Sequence, residues 1–178
     1  MEKVNPANPK HLCVKYAGLM FFSILLLAYV DYIVLEKIYH PVAAKYNINW
    51  DTEFNAVFWG KPTPVLRWQL AFMPLGVCLF ILLGTAAGSF RLAIGGILLF
   101  ATGWEDIFYY LIQGRWLPAE LGWLDYSPLM GLTRYVTRTE HVTSTGLLIS
   151  SSLGLFAVMW ILFSIAKTVK NRRCLKNP

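Results

Sequence analysis

Cysteine, histidine and charge are all scarce in this chain of 178 residues, and each scarcity excludes something. Cys13, Cys78 and Cys174 stand alone, with neither C-x-x-C nor zinc-ribbon spacing, so the sequence carries no redox motif, zinc knuckle or disulfide framework. Three histidines, none in an H-E-x-x-H pattern, supply no zinc-protease signature. Internal repeats, low-complexity tracts and Asn-x-Ser/Thr acceptors are absent. Only 15% of the residues are charged, against 56% apolar, and the mean hydropathy is positive, which is too apolar for an ordinary soluble domain of this length.

What the chain has instead is long apolar runs. Four stretches approach the roughly 20 residues that cross about 30 Å of hydrocarbon: 16–38, 66–87, 92–112 and 143–166. They predict an all-α, polytopic membrane protein, a four-transmembrane-helix bundle with two longer outer connections. Nothing outside the runs is long or apolar enough for a second unit, so residues 1–178 read as one integral membrane domain. Lys3, Lys10 and Lys15 before the first run resemble the n-region of a signal peptide. No A-x-A-like site follows, and Tyr29-Val30-Asp31-Tyr32 is a poor exit, so the run is expected to stay as a helix.

Charge predicts the orientation. Lys3, Lys10, Lys15, Arg91, Lys167, Lys170, Arg172, Arg173 and Lys176 share one side of the four-helix topology, nine of sixteen basic residues in its shorter segments. The positive-inside rule makes that side, with both termini, cytoplasmic. The basic cluster at 167–176 follows an apolar helix directly, so anchoring to anionic lipid explains it without nucleic acid as a partner.

Two connections are long. The first opens at Tyr39-His40-Pro41, which should end the first helix near Ile38, and has room for a short helix over Asp51–Phe58. The second, Gly114–Arg138, carries Trp116, Trp123, Tyr126 and Tyr135 and suits a lid at the membrane surface. Between the second and third runs, Gly88-Ser89-Phe90-Arg91 is a tight turn. Gly84 and Gly88 have GxxxG spacing, and Ser144, Gly146, Ser150, Ser151 and Gly154 give the fourth run a small-residue surface for close packing.

The third run holds the feature least compatible with lipid, the adjacent acids Glu105-Asp106. Each costs roughly 2.5–3.5 kcal/mol at a helix centre, so they must face protein, a cation or water. At about 100° per residue Glu105, Asp106, Tyr109 and Gln113 form one polar stripe. On the fourth run Glu140, His141, Ser144, Thr145, Ser151 and Ser152 form another. At about 1.5 Å per residue, Glu105 lies about 12 Å inside Gln113 and Asp31 about 10 Å inside Ile38, so these acids share a level. Glu36 and His40, at i,i+4, share a face near the exit of the first run.

These residues predict one outward-facing polar site. Glu105, Asp106 and His141 are the candidate catalytic groups. Asp31, Tyr109, Tyr110, Gln113, Arg134 and Arg138 are the candidate substrate contacts. Carboxylate and imidazole ligands suit a divalent metal such as zinc on Glu105, Asp106 and His141, with Glu36 or His40 as further ligands. A metal-free site would use a buried carboxyl as acid or base. Either way, the reading is binding or processing of a lipid-like amphipathic molecule, and as an enzyme a membrane-embedded hydrolase or isomerase. Two other readings stand beside it. One is a non-catalytic membrane subunit or scaffold whose acids pair with Arg67, Arg134, Arg138 or a partner membrane protein. The other is a small transporter.

Overall fold

The computed structural model describes residues 9–46, 57–58, 61–62, 66–125, 127 and 129–176. The first apolar run forms helix α1, Pro9–Tyr32. It does not stop near Ile38. A π-helical segment, Ile33–Tyr39, carries the chain into α2, His40–Lys45, with Pro41 in its first turn. A proline ring there needs no N–H and suits a helix start, so it is compatible with continuation once the preceding turn has widened. Positions 51–56 of the short helix expected over Asp51–Phe58 lie outside the described residues. Val57–Phe58 is instead β1, antiparallel to β2, Lys61–Pro62, with a connection of hairpin length.

Helix α3, Leu66–Ala86, and α4, Phe90–Ala101, form the expected antiparallel pair. At the turn the Ser89 hydroxyl caps α4 by accepting from the Leu92 amide at 3.4 Å. Gly84 packs against Ala93 of α4, so one end of the GxxxG pair serves contact within the chain.

The third run is not one helix. After Ala101 the chain turns through Thr102 and Gly103, and α5, Trp104–Ile112, leaves at 61° to α4. Apolar composition on both sides hides this break. Three features produce it. Gly103 adopts φ +93°, which a helix interior forbids, and Glu105 and Asp106 occupy the first turn of α5, where the helix dipole favours negative charge. The freed backbone is also re-satisfied by α7, Ser144–Lys176. The Ser151 hydroxyl donates to the Thr102 carbonyl at 2.8 Å, and the Trp104 indole donates to the Ser151 carbonyl at 2.9 Å. Gly154 makes room, since a Cβ there would strike the Thr102 side chain. The small-residue surface of the fourth run thus serves to seat the break.

Two cores result. Met20, Ile24 and Leu27 of α1 pack with Phe80, Leu99, Phe100 and Val158 of α3, α4 and α7. Leu121, Leu124, Met130, Val142 and Leu147 form a second core beneath the Gly114–Arg138 connection, against Ile107 and Tyr110 of α5. That connection is ordered by a 3₁₀ turn, Gly122–Leu124, by the short helix α6, Thr133–Thr137, and by a bridge between Glu120 and Thr143.

Among the described residues two helices are long and apolar enough to cross a membrane, Cys13–Val42 and Ser144–Ser164. The bent pair Phe90–Ala101 and Trp104–Ile112 makes a third if it is a single broken span. The described apolar part of α3, Phe72–Ala86, is shorter. The architecture is therefore helical, and the described residues hold two or three span-capable helices where the sequence suggests four. Cys13 donates to the Leu162 carbonyl at 3.3 Å, which sets the start of α1 level with the far part of α7.

Candidate functional site

The break in the third run and the packing of α1 on α5 build the site. Edge-to-face contact of Phe21 with Trp104, at 5.2 Å between ring centroids, fixes the two helices. Further along, Asp31 of α1 comes to the level of Glu105 and Asp106. Asp31 and Glu105 are each only 7% exposed, and the described charges acting most strongly on Glu105 are the carboxylates of Asp106 and Asp31. Asp31 and Asp106 therefore both act on Glu105, although the π segment after Asp31 and the 61° bend before α5 depart from the straight helices of the depth argument. One oxygen of Glu105, Oε1, is buried without a hydrogen-bond partner among the described residues.

An aromatic wall adjoins the acids. Asp106 accepts a hydrogen bond from the Trp123 indole. Trp123 lies against Tyr110, with centroids 6.2 Å apart, and Tyr110 meets Tyr109 edge-on at 5.5 Å. The Tyr109 hydroxyl donates to Glu36 Oε1 at 3.1 Å, and Glu36 Oε2 pairs with His40 Nδ1 at 3.2 Å. Glu36 and His40 therefore share a face as their spacing implies. The widened π turn carries Glu36 to Tyr109.

His141 belongs to a different cluster. Its Nδ1 lies 2.7 Å from Asp125 Oδ2, while Asp125 Oδ1 accepts from the Val142 amide at 2.7 Å. Arg134 stands 3.9 Å from the same carboxylate and also donates to the Gly131 and Glu140 carbonyls. The Asp125 hydrogen bond holds the His141 imidazole above its ordinary value of 6.5. The charges acting on His141 are Asp125 and Glu120 of the connection and the adjacent Glu140, not Glu105 or Asp106. Sequence reasoning missed Asp125. It sits sixteen residues from His141 in an irregular loop, where no periodicity pairs them.

Of the sequence candidates, then, Asp31, Glu105, Asp106, Tyr109, Tyr110 and Gln113 gather along α1 and α5, while His141 and Arg134 hold the connection through Asp125. Arg138 is exposed, in left-handed conformation at φ 54°, and ends α6. The second polar stripe is divided as well: Ser151 faces the break, while Glu140, Thr145 and Ser152 are exposed. The side chains of Arg67 and Gln69 lie outside the described residues. Among the described residues no three His, Cys, Asp or Glu side chains are grouped to hold a metal ion, so Glu105, Asp106 and His141, with or without Glu36 and His40, do not form the ligand set the sequence suggests.

No protein-family model matches the chain, and neither a curated protein nor a solved structure shows significant similarity to it. Fold and site together define a helical protein with span-capable apolar helices and a buried acidic cluster beside a broken helix.

Proposed function

We propose that this is a multi-pass membrane protein that binds, and in an enzymatic version processes, a lipid-like amphipathic molecule. Its polar end would be received by Glu105, Asp106, Tyr109 and Gln113, and its chain by the surrounding apolar helices. The observation that carries the reading is Glu105 itself: a carboxylate 7% exposed, beside two further acids, with an oxygen that finds no partner among the described residues. Buried polar atoms left unpaired are costly and uncommon, so a ligand group that pairs with this one is the economical explanation. The scaffold reading is weakened at two of its three pairings, because Arg134 is engaged by Asp125 and Arg138 is exposed.

Mass spectrometry of lipid extracts tests this. The protein purified in neutral detergent should carry a near-stoichiometric amphipathic molecule that Glu105→Gln, which keeps the side chain's shape, loses while remaining folded. A Glu105→Gln protein that melts earlier yet retains the same lipid would count against the proposal.

The orientation proposed has both termini cytoplasmic, from the basic residues that flank the runs. Thiols introduced at Asn47 and Gly122 should react with an impermeant reagent added outside, and thiols at Ser89 and Asn171 should not. External labelling at Asn171 would reverse the assignment.

A further inference from the structure

The exposed apolar side of α6 lies at the level where a membrane would meet the connection. Ser144–Ser164 of α7 is 21 residues long and rises about 31 Å, so as a span it reaches from one face of the roughly 30 Å hydrocarbon to the other. Gly146 is then about 3 Å inside the boundary. α6 shares that level, because Thr133 packs on Gly146, where a Cβ would come within 2.7 Å of the Thr133 hydroxyl oxygen.

Three sides of this short helix have different surroundings. Thr133 seats it on α7, and Arg134 ties it to the connection through Asp125 and the Gly131 and Glu140 carbonyls. Leu132, Tyr135 and Val136, spaced i, i+3 and i+4, share the remaining side and are 58%, 76% and 72% exposed. An apolar patch of this kind marks an interaction surface. Beside the first turns of a span, the medium is the boundary between lipid headgroups and acyl chains, which accepts aliphatic side chains and tyrosine together. The charge agrees with that partner. Residues 126–139 hold Arg134 and Arg138 and no acid, the sign that lipid phosphates attract, and the Arg134 guanidinium lies 5.9 Å from the centre of the Tyr135 ring. Trp123, one of the aromatics that suggest a surface lid from sequence, turns inward to Asp106 and Tyr110 instead.

We infer that α6 is a membrane-interface anchor: Leu132, Tyr135 and Val136 insert into the headgroup–acyl boundary of the leaflet in which α7 begins, with the exposed Arg138 as a charge partner for lipid phosphate. This anchor requires α7 to span the membrane but requires no ligand at Glu105.

Fluorescence quenching in phosphatidylcholine–phosphatidylglycerol vesicles tests it. In the full chain with Cys13, Cys78 and Cys174 replaced by serine, a nitrobenzoxadiazole label is attached at Val136→Cys, or at Leu132→Cys should the first variant fail to fold. A label at Phe156→Cys, exposed on α7 and about 18 Å along it from Ser144, reports the bilayer centre. The α6 label is expected to be quenched at least about twofold more by a nitroxide at the headgroup end of the acyl chain than by one at its methyl end. At Phe156 the order should reverse. Quenching of the α6 label by aqueous iodide alone overturns the anchor, and so does shielding from iodide that disappears on dilution with lipid, which would put a second copy over α6. In either case a Phe156 label still reached from the methyl end leaves α7 as a span. If that label escapes both nitroxides, the anchor and the membrane reading fall together.

Discussion

Replacing Gly103 by alanine is expected to destabilise the protein by about 2–6 kcal/mol. Two costs combine. The residue sits at φ +93°, where an L side chain is strained by about 1–3 kcal/mol. Its new Cβ would also strike the Leu147 side chain and come within 2.6 Å of the Met130 sulfur, overpacking that adds about 1–3 kcal/mol. Gly114 provides the control. It too has positive φ, at 66°, but a Cβ there meets nothing within 4 Å, so Gly114→Ala should carry only the backbone cost of about 1–2 kcal/mol. Thermal unfolding of both variants in detergent measures the difference. Equal melting temperatures would show that the second core tolerates the added methyl and that Gly103 is needed for its dihedral alone.

The second large effect is expected at Asp125. Its carboxylate serves three donors, and alanine there strands the Val142 amide, whose residue is wholly buried, at a cost of about 1–3 kcal/mol. The loss should be local. Leu121 and Val142 are tied by a 2.7 Å backbone hydrogen bond, so hydrogen exchange should accelerate at 121–125 and 139–143 while α1 and α4 keep their protection. A pH dependence accompanies it. Because the folded state holds the His141 imidazole above 6.5, the pair's contribution is full below that value and fades as pH rises through the higher folded one. Protection of the connection should therefore fall with rising pH in the unaltered protein. In Asp125→Ala that pH trend should vanish; its persistence would place the titrating group elsewhere.

Much of the helical framework was legible because hydrocarbon-length runs admit few alternatives. Leu66–Ala86 agrees closely with the expected 66–87, and the turn at Gly88-Ser89 fixed its partner. The ends were less legible. Pro41 looks like a stop, yet a π segment lets the chain run on to Lys45, and α7 extends to Lys176, past the apolar run at 143–166. The break at Thr102-Gly103 had a local signal that hydropathy overrode: a glycine followed by two acids in what becomes a first turn. The same pair of acids pointed to Asp31, which does act on Glu105, although the π segment and the 61° bend break the straight-helix arithmetic that linked them. The pair led wrongly to His141, because a histidine beside a helix start has an equally good partner in the loop, and the pairing of residues 125 and 141 depends on how that loop folds.

The bend also limits how far the chain can reach. Twelve residues of α4 rise about 18 Å, and the nine of α5 about 13 Å along their own axis. Tilted by 61°, α5 adds only about 6–7 Å in the direction of α4. With α4 upright, the two together cover about 25 Å, short of the roughly 30 Å of an average hydrocarbon layer. If the pair is one broken span, lipids beside it would have to shorten to meet it, at a fraction of a kcal/mol per Å of mismatch. Such a span would sit with less strain in a thin bilayer than in a thick one.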